Sequence, residues 1–185
     1  MVVANHQHGD EARRDAVLEA AMGTFARFGY RKTSMQDVAR EAHISRPGLY
    51  FLFATKAGLF RAAAERAVSL DLAAAEGALA ELEQPLGERV VAAFDSWAGR
   101  YVGAPHDVAA VLDDNPDLVG PVVQEAPLRF EAVLEATLRQ GGSAKPTAVA
   151  RTLISMSIGL KHQMPTREDY RTRMTEAVQL LIPAT

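Results

Sequence analysis

Between Gly29 and Phe53 this chain has room for two short helices with only a turn between them. Gly29 stops the periodic run before it, as a glycine does where a helix ends in left-handed backbone. Thr33-Ser34-Met35-Gln36 then fits a capping box, with Thr33 as cap and Gln36 reaching back from the third helical position. Met35, Val38 and Ala39 share one face of a helix that lasts to about Ala42. Ser45 caps the next helix, Pro47 is tolerated in its first turn, and Leu49, Tyr50 and Phe53 recur at helical spacing. Two short helices joined this tightly, with longer helices on either side, read as a helix-turn-helix.

The flanking segments supply those longer helices. Val17 or Leu18, Ala21, Phe25 and Phe28 make one stripe over a helix from about Asp10, its candidate N-cap, to Phe28. A fourth helix starts near Thr55-Lys56 and carries Leu59, Phe60, Ala63, Ala67 and Leu70. Beyond Gln84-Pro85 the stripe Leu86, Val90, Phe94, Trp97, Tyr101 steps by four, four, three and four. Glycines and prolines from Gly103 to Pro127 break the middle into short pieces. Pro127 is expected to open a helix carrying Phe130, Val133, Leu134 and Leu138, closed at Gly141-Gly142. Helices over 147–161 and 166–182, the second capped by Thr166, complete the chain. The expectation is an all-α protein of about nine helices, with a helix-turn-helix domain over residues 1–61 and a second helical domain over 62–185.

Charge divides along the same line. The net charge is −3, which is unpromising for a nucleic-acid partner until it is split. Residues 1–61 hold 9 Lys+Arg against 6 Asp+Glu, a balance of +3, and the remainder holds 11 against 17, a balance of −6. A basic head on an acidic body suits a chain that meets phosphate at one end only. Cysteine is absent, which excludes disulfides, thiolate metal sites and cysteine nucleophiles. No signal-peptide pattern and no apolar run of about 20 residues is present, so a cytoplasmic protein without a membrane span is expected.

The stretch from Gly29 to Phe60, GYRKTSMQDVAREAHISRPGLYFLFATKAGLF, resembles the N-terminal domain of the TetR/AcrR family. The matching residues are Gly29-Tyr30, Thr33-Ser34-Met35, Val38-Ala39, Ala42, Ile44-Ser45, Leu49-Tyr50, Phe53, Lys56 and Leu59, within a likeness that covers roughly residues 12–70. The resemblance implies a DNA-binding head, with Thr33 and Tyr50 on phosphates through their hydroxyls and Lys56 on phosphate from the fourth helix. Such contacts set register rather than sequence.

The residues support that reading independently. A helix entering the major groove needs a capped N-terminus near phosphate and small or polar residues in its first turn. Ser45, Arg46, Pro47 and Gly48 meet the need, and Arg46 alone among them can grip a guanine bidentately. Arg31 and Lys32, just ahead of Thr33 and Ser34, add non-specific attraction. His43 departs from the family pattern, which usually carries glycine there. The position tends to need positive φ, where histidine is among the enriched non-glycine types.

The resemblance further implies that the C-terminal helices enclose a small-molecule pocket and that the last two build a four-helix dimer interface. Phe94, Trp97 and Tyr101, with Phe130, Met156, Gln124 and Arg129, are the candidate pocket lining, although an aromatic stripe is also what a core looks like. Ser155, Ser157 and Gly159 permit close packing across a dimer axis, joined by Tyr170, Met174, Ala177 and Leu181. His106-Asp107 with Asp113-Asp114 fits no standard metal spacing, and no catalytic motif, cofactor site or metal site is expected. The implied function is sequence-specific transcription regulation by a homodimer, a repressor released from an inverted-repeat operator by a small molecule. The alternatives are a ligand-independent DNA-binding dimer or an activator, and, more remotely, a helical enzyme.

Overall fold

The computed structural model describes residues 3–103 and 108–182, the side chains of 3–10 and of Ala109 excepted. The described residues form nine α-helices and no strand: α1 (Val3–Phe28), α2 (Met35–Glu41), α3 (Arg46–Leu52), α4 (Lys56–Ala80), α5 (Leu86–Trp97), α6 (Val108–Asp113), α7 (Pro121–Gln140), α8 (Pro146–Gln163) and α9 (Arg167–Leu181). Short 3-10 turns cover Gly99–Tyr101 and Pro116–Leu118. The all-helical architecture expected from periodicity is the one observed.

Several boundaries move. The first helix begins at Val3, so Asp10 lies inside it rather than capping it. α7 opens at Pro121, leaving Pro127 within the helix. A proline there removes one backbone donor, and Pro127 sits on the exposed face. α9 starts where the sequence places it: the Thr166 hydroxyl accepts from the Asp169 N–H at 3.1 Å.

The described residues gather into two compact units, Met1–Val68 with Pro105–Val123, and Ser69–Ala104 with Gln124–Thr185. In the first, Phe25, Val38, Leu49, Leu59 and Phe60 are all fully buried. Phe25 meets Phe60 edge-on at 5.1 Å, and Tyr30 packs on both rings. Each large apolar side chain so buried contributes roughly 1.5–3 kcal/mol relative to exposure. Ala63, Ala64 and Val111 belong to this core as well, although the sequence division at residues 61/62 assigns them to the C-terminal domain. The Arg61 guanidinium also donates to the Leu118 carbonyl at 3.3 Å, so the segment after residue 107 is tied to the first unit by polar as well as apolar contacts.

The second unit is built around Phe94, Phe130, Leu134, Leu138, Leu153, Tyr170 and Met174. Two of its buried polar groups, Asp95 and Ser157, are held by close partners. Arg167 grips Asp95 with two bonds of 2.8 Å, and the Tyr170 hydroxyl pairs with Ser157 at 2.7 Å. Gly99 lets these groups close up, because a side-chain carbon there would stand 2.7 Å from Asp95 Oδ1 and 2.9 Å from the Tyr170 ring. Tyr170, Met174, Ala177 and Ser157 are therefore interior residues of one chain, not the exposed dimer surface expected from sequence; Leu181 is half-buried.

Burial pushes the Tyr170 hydroxyl up to about 12. The unfolded chain loses that proton first, near pH 10, so the contribution is fully present below about pH 10 and is lost as pH rises towards 12. In urea titrations, Tyr170→Phe should cost about 1 kcal/mol at neutral pH through the lost Ser157 bond. It should also show a shallower loss of stability than the parent above about pH 10.

Candidate nucleic-acid interface

Cap chemistry sets the geometry of α2 and α3. Ser34, not Thr33, is the N-cap of α2: its hydroxyl accepts from the Asp37 N–H at 3.2 Å, and Asp37 accepts from the Ser34 N–H at 3.0 Å. The capping box is thus one residue later than the sequence suggests, with Asp37 in the role expected of Gln36. Hydrogen bonds from Ser34 hold the Asp37 carboxyl below the usual carboxylate range. Ser45 caps α3 as expected, accepting from Gly48 N–H at 3.1 Å.

The turn between the helices is a Schellman motif. Ile44 N–H donates to Ala39 carbonyl at 3.0 Å and His43 N–H to Arg40 carbonyl at 3.2 Å, the two bonds that close a helix through a left-handed residue. That residue is His43, at φ 52°, the one non-glycine with positive φ among the described residues. Its side chain is exposed, and no cluster of three or more metal-ligating side chains occurs among the described residues. His106 and Asp107 lie outside them.

Arg31, Lys32, Ser34, Ser45, Arg46, Pro47 and Tyr50 are exposed, and Gly48 is partly so. The Arg46 guanidinium lies 5.5 Å from the centroid of the Tyr50 ring. Leu49 and Phe53 turn inward and fix the opposite face of α3. Two expected phosphate ligands are placed differently. Thr33 is buried, its hydroxyl donating to the Gly29 carbonyl at 2.9 Å. The Lys56 ammonium is half-buried, donating to the carbonyls of Tyr30 and Thr33 at 3.0 Å each and lying 4.4 Å from the Tyr30 ring centroid. Both hold the turn that leads into α2.

Two exposed residues of this surface escape the motif. Phe51 on α3 is 90% exposed; it lies about 200° around the helix from Leu49, a signal available from periodicity alone. Arg13 on α1 comes close to α3, where a side-chain carbon on Gly48 would be 3.9 Å from its guanidinium. No sequence pattern announces that approach.

Of the seven residues expected to line a ligand pocket, Phe94, Trp97 and Phe130 pack on one another. Trp97 stacks on Phe130 at 5.1 Å, and Phe94 meets Phe130 edge-on at 5.3 Å. Tyr101 donates to the buried Asp71 carboxylate, which Arg100 also holds. Burial raises the Asp71 carboxyl above its ordinary range despite both partners. Arg129 donates two hydrogen bonds to the Glu76 carboxylate, at 2.6 and 2.9 Å, while Gln124 and Met156 are exposed. A cavity of about 1090 Å³ does occur in the second unit, lined instead by residues including Leu86, Arg89, Val91, Arg171, Val178 and Ile182.

A capped short helix presented outward on a three-helix core, amid exposed cations, defines a helix-turn-helix DNA-binding head. Residues 17–63 match the N-terminal domain of the bacterial regulatory proteins of the tetR family. The chain is 43% identical over 53 residues to the HTH-type transcriptional repressor ComR of Escherichia coli K12, covering 29% of this chain and 25% of ComR. It is 31% identical over 131 residues to YfiR of Bacillus subtilis 168, an HTH-type transcriptional regulator, covering 70% of this chain and 54% of YfiR. The chain thus spans between a quarter and just over half the length of these relatives. Its fold matches that of AibR, whose structure was solved with isovaleryl coenzyme A and operator DNA, at a TM-score of 0.68 and 20% identity over 94% of this chain and 100% of the other. The head over residues 17–63 is thus of the tetR-family helix-turn-helix type, and the relatives matched are transcriptional regulators.

If His43 serves only to hold positive φ, His43→Gly should leave stability level or slightly raised and DNA binding intact. His43→Val should cost on the order of 1–2 kcal/mol in denaturant titrations. The inward role of Thr33 gives a second test. Thr33→Val should lower stability by about 1 kcal/mol with no change in the salt dependence of DNA binding. Arg31→Ala should leave stability alone and lower the salt slope by about 1.

Proposed function

We propose that this chain is a transcriptional repressor that binds an inverted-repeat operator as a homodimer in the cytoplasm and releases it when a small molecule binds the second unit. The observation that carries the DNA reading is the α3 surface. Arg46, Pro47 and Tyr50 are exposed on it, and Arg31, Lys32 and Arg46 have no carboxylate partner among the described residues. Unneutralised cations around a capped helix release counterions when they meet phosphate, while Arg46 and its neighbours reach base edges.

One short helix reads too few base pairs for useful specificity, so two heads are needed. α8 and α9 are the proposed dimer surface, because Met156 and Ile158 on α8 and Leu180 on α9 are exposed apolar residues. An isologous interface requires one such self-complementary patch. The proposed effector site is the cavity lined by Leu86, Val91, Val178 and Ile182, large enough for a small organic molecule. A ligand favouring the DNA-incompatible state 100-fold shifts the equilibrium by about 2.7 kcal/mol. A second reading, a dimer without an effector, draws support from the packing of Phe94, Trp97 and Phe130 on one another.

Sedimentation and fluorescence anisotropy test the proposal together. The expected result is a dimer at micromolar concentration that binds an inverted repeat, its half-sites about 34–36 Å apart or somewhat more, far better than one half-site. Ile158→Glu should give a folded monomer that binds both equally weakly. Compounds that raise the melting temperature should weaken operator binding over the same concentrations at which Trp97 emission changes. If such compounds leave operator affinity unchanged, the effector part fails and the second reading stands.

A further inference from the structure

Phe51 is the most exposed large apolar side chain described in this protein, at 90%, and it sits on the helix that faces DNA under the reading above. At 100° per residue it shares a face with Pro47 and Gly48, one turn earlier, opposite the buried Leu49 and Phe53. That face is narrow near its start, since Gly48 has no side chain, and bulky at Phe51. Beside it lies a recess of about 360 Å³ lined by Glu11, Arg13, Arg14, Gly48, Phe51 and Leu52. Arg13 is exposed and has no ion-pair partner among the described residues, whereas the Arg14 guanidinium packs over the Phe53 ring at 4.4 Å.

The geometry points to a base-reading site made by two helices: Phe51 of α3 packs on the 5-methyl group of a thymine in the major groove, while Arg13 of α1 takes the neighbouring backbone phosphate. The inference rests on the DNA reading of α3 and extends it. A phenyl ring has no donor or acceptor, so it cannot read the polar code of a base edge. The one apolar feature of the major groove is the thymine methyl. A phosphate chain beside that methyl is the anion that an unpaired guanidinium next to the ring complements. An apolar protein surface would leave Arg13 desolvated without a partner.

The test uses the full chain and a duplex enriched by it from a random-sequence library, with single thymines replaced in turn by deoxyuracil, which removes only the methyl group. At one position per half-site, the replacement should weaken binding by about fourfold, the value of one buried methyl. Phe51→Ala should bind thymine and uracil duplexes equally there. Arg13→Ala should weaken every duplex alike, keep the thymine preference, and lower the salt slope by about 1. Both side chains are exposed, and circular dichroism verifies that the variants remain folded. Enrichment with no uracil-sensitive position overturns the site alone, as does a thymine preference that survives in Phe51→Ala; the ring would then serve another partner. An unchanged salt slope in Arg13→Ala overturns the phosphate contact. Failure to enrich any duplex overturns the DNA reading itself, and this site with it.

Discussion

Lys56 stands at the first turn of α4 and donates to two carbonyls, those of Tyr30 and Thr33, in the turn that leads into α2. That turn has no helix of its own to satisfy its backbone groups, and an unpaired part-buried carbonyl is costly. A charged donor bonded to a neutral carbonyl contributes roughly 1.5–3 kcal/mol, and the Tyr30 ring beneath the ammonium adds a cation–π contact. The same ring packs on Phe25 and Phe60, so the strut joins α1, α4 and the entrance to α2 at one place. Thr33 secures the turn from within through Gly29. With the polar groups of Thr33 and Lys56 turned inward, Arg31 and Lys32 are left as the outward face of the turn. Residues that a family pattern marks for phosphate thereby become the frame on which the reading helix is mounted.

The angle of that helix depends on a second device. α2 and α7 end in the same Schellman arrangement, α2 through His43 at φ 52° and α7 through Gly142 at φ 80°. Glycine enters left-handed backbone without penalty, whereas an L side chain pays strain there. Histidine is tolerated because Ile44, the next residue, is partly buried against the head core and holds the chain in its path. The strain is met by packing rather than removed, which suits a turn whose angle has to be reproducible.

Much of this was legible in the chain itself. Helix starts at Ser45 and Thr166 and the stop at Gly29 are local events, decided by a few adjacent residues, and local chemistry predicts them; the positive φ at His43 follows instead from the resemblance, in which glycine usually stands there. Thr33 against Ser34 is different: both hydroxyls can cap, and the choice falls to the one not drawn into the core, with Asp37 placed to answer it. The aromatic stripe of α5 shows the same limit more sharply. Periodicity says that Phe94 and Trp97 point one way but not what they meet, and what they meet is Phe130. Nor could periodicity assign α6 to a core, since Val111 fits any apolar surface and its burial in the first unit depends on long-range packing. The exposed Phe51 was visible as a helical-wheel position yet hidden by the convention that aromatics belong inside.

The distribution of charge partners says more about this surface than the net charge does. In the second unit Arg100, Arg129, Arg139, Arg151, Arg167 and Arg173 each meet a carboxylate. Most of these pairs are exposed and contribute little stability individually, but they neutralise the cations in place. In the first unit Arg40 and Arg66 are paired, whereas Arg13, Arg31, Lys32 and Arg46 have no ion pair among the described residues. Clustered like charges repel and destabilise a folded surface slightly unless something binds there. An acidic chain can therefore carry a cationic face by leaving a few charges unanswered where α1, the α2 turn and α3 meet solvent, and the net charge of −3 conceals it. The repulsion stored there is relieved when phosphate arrives, so the same charges that weaken the free head strengthen its complex.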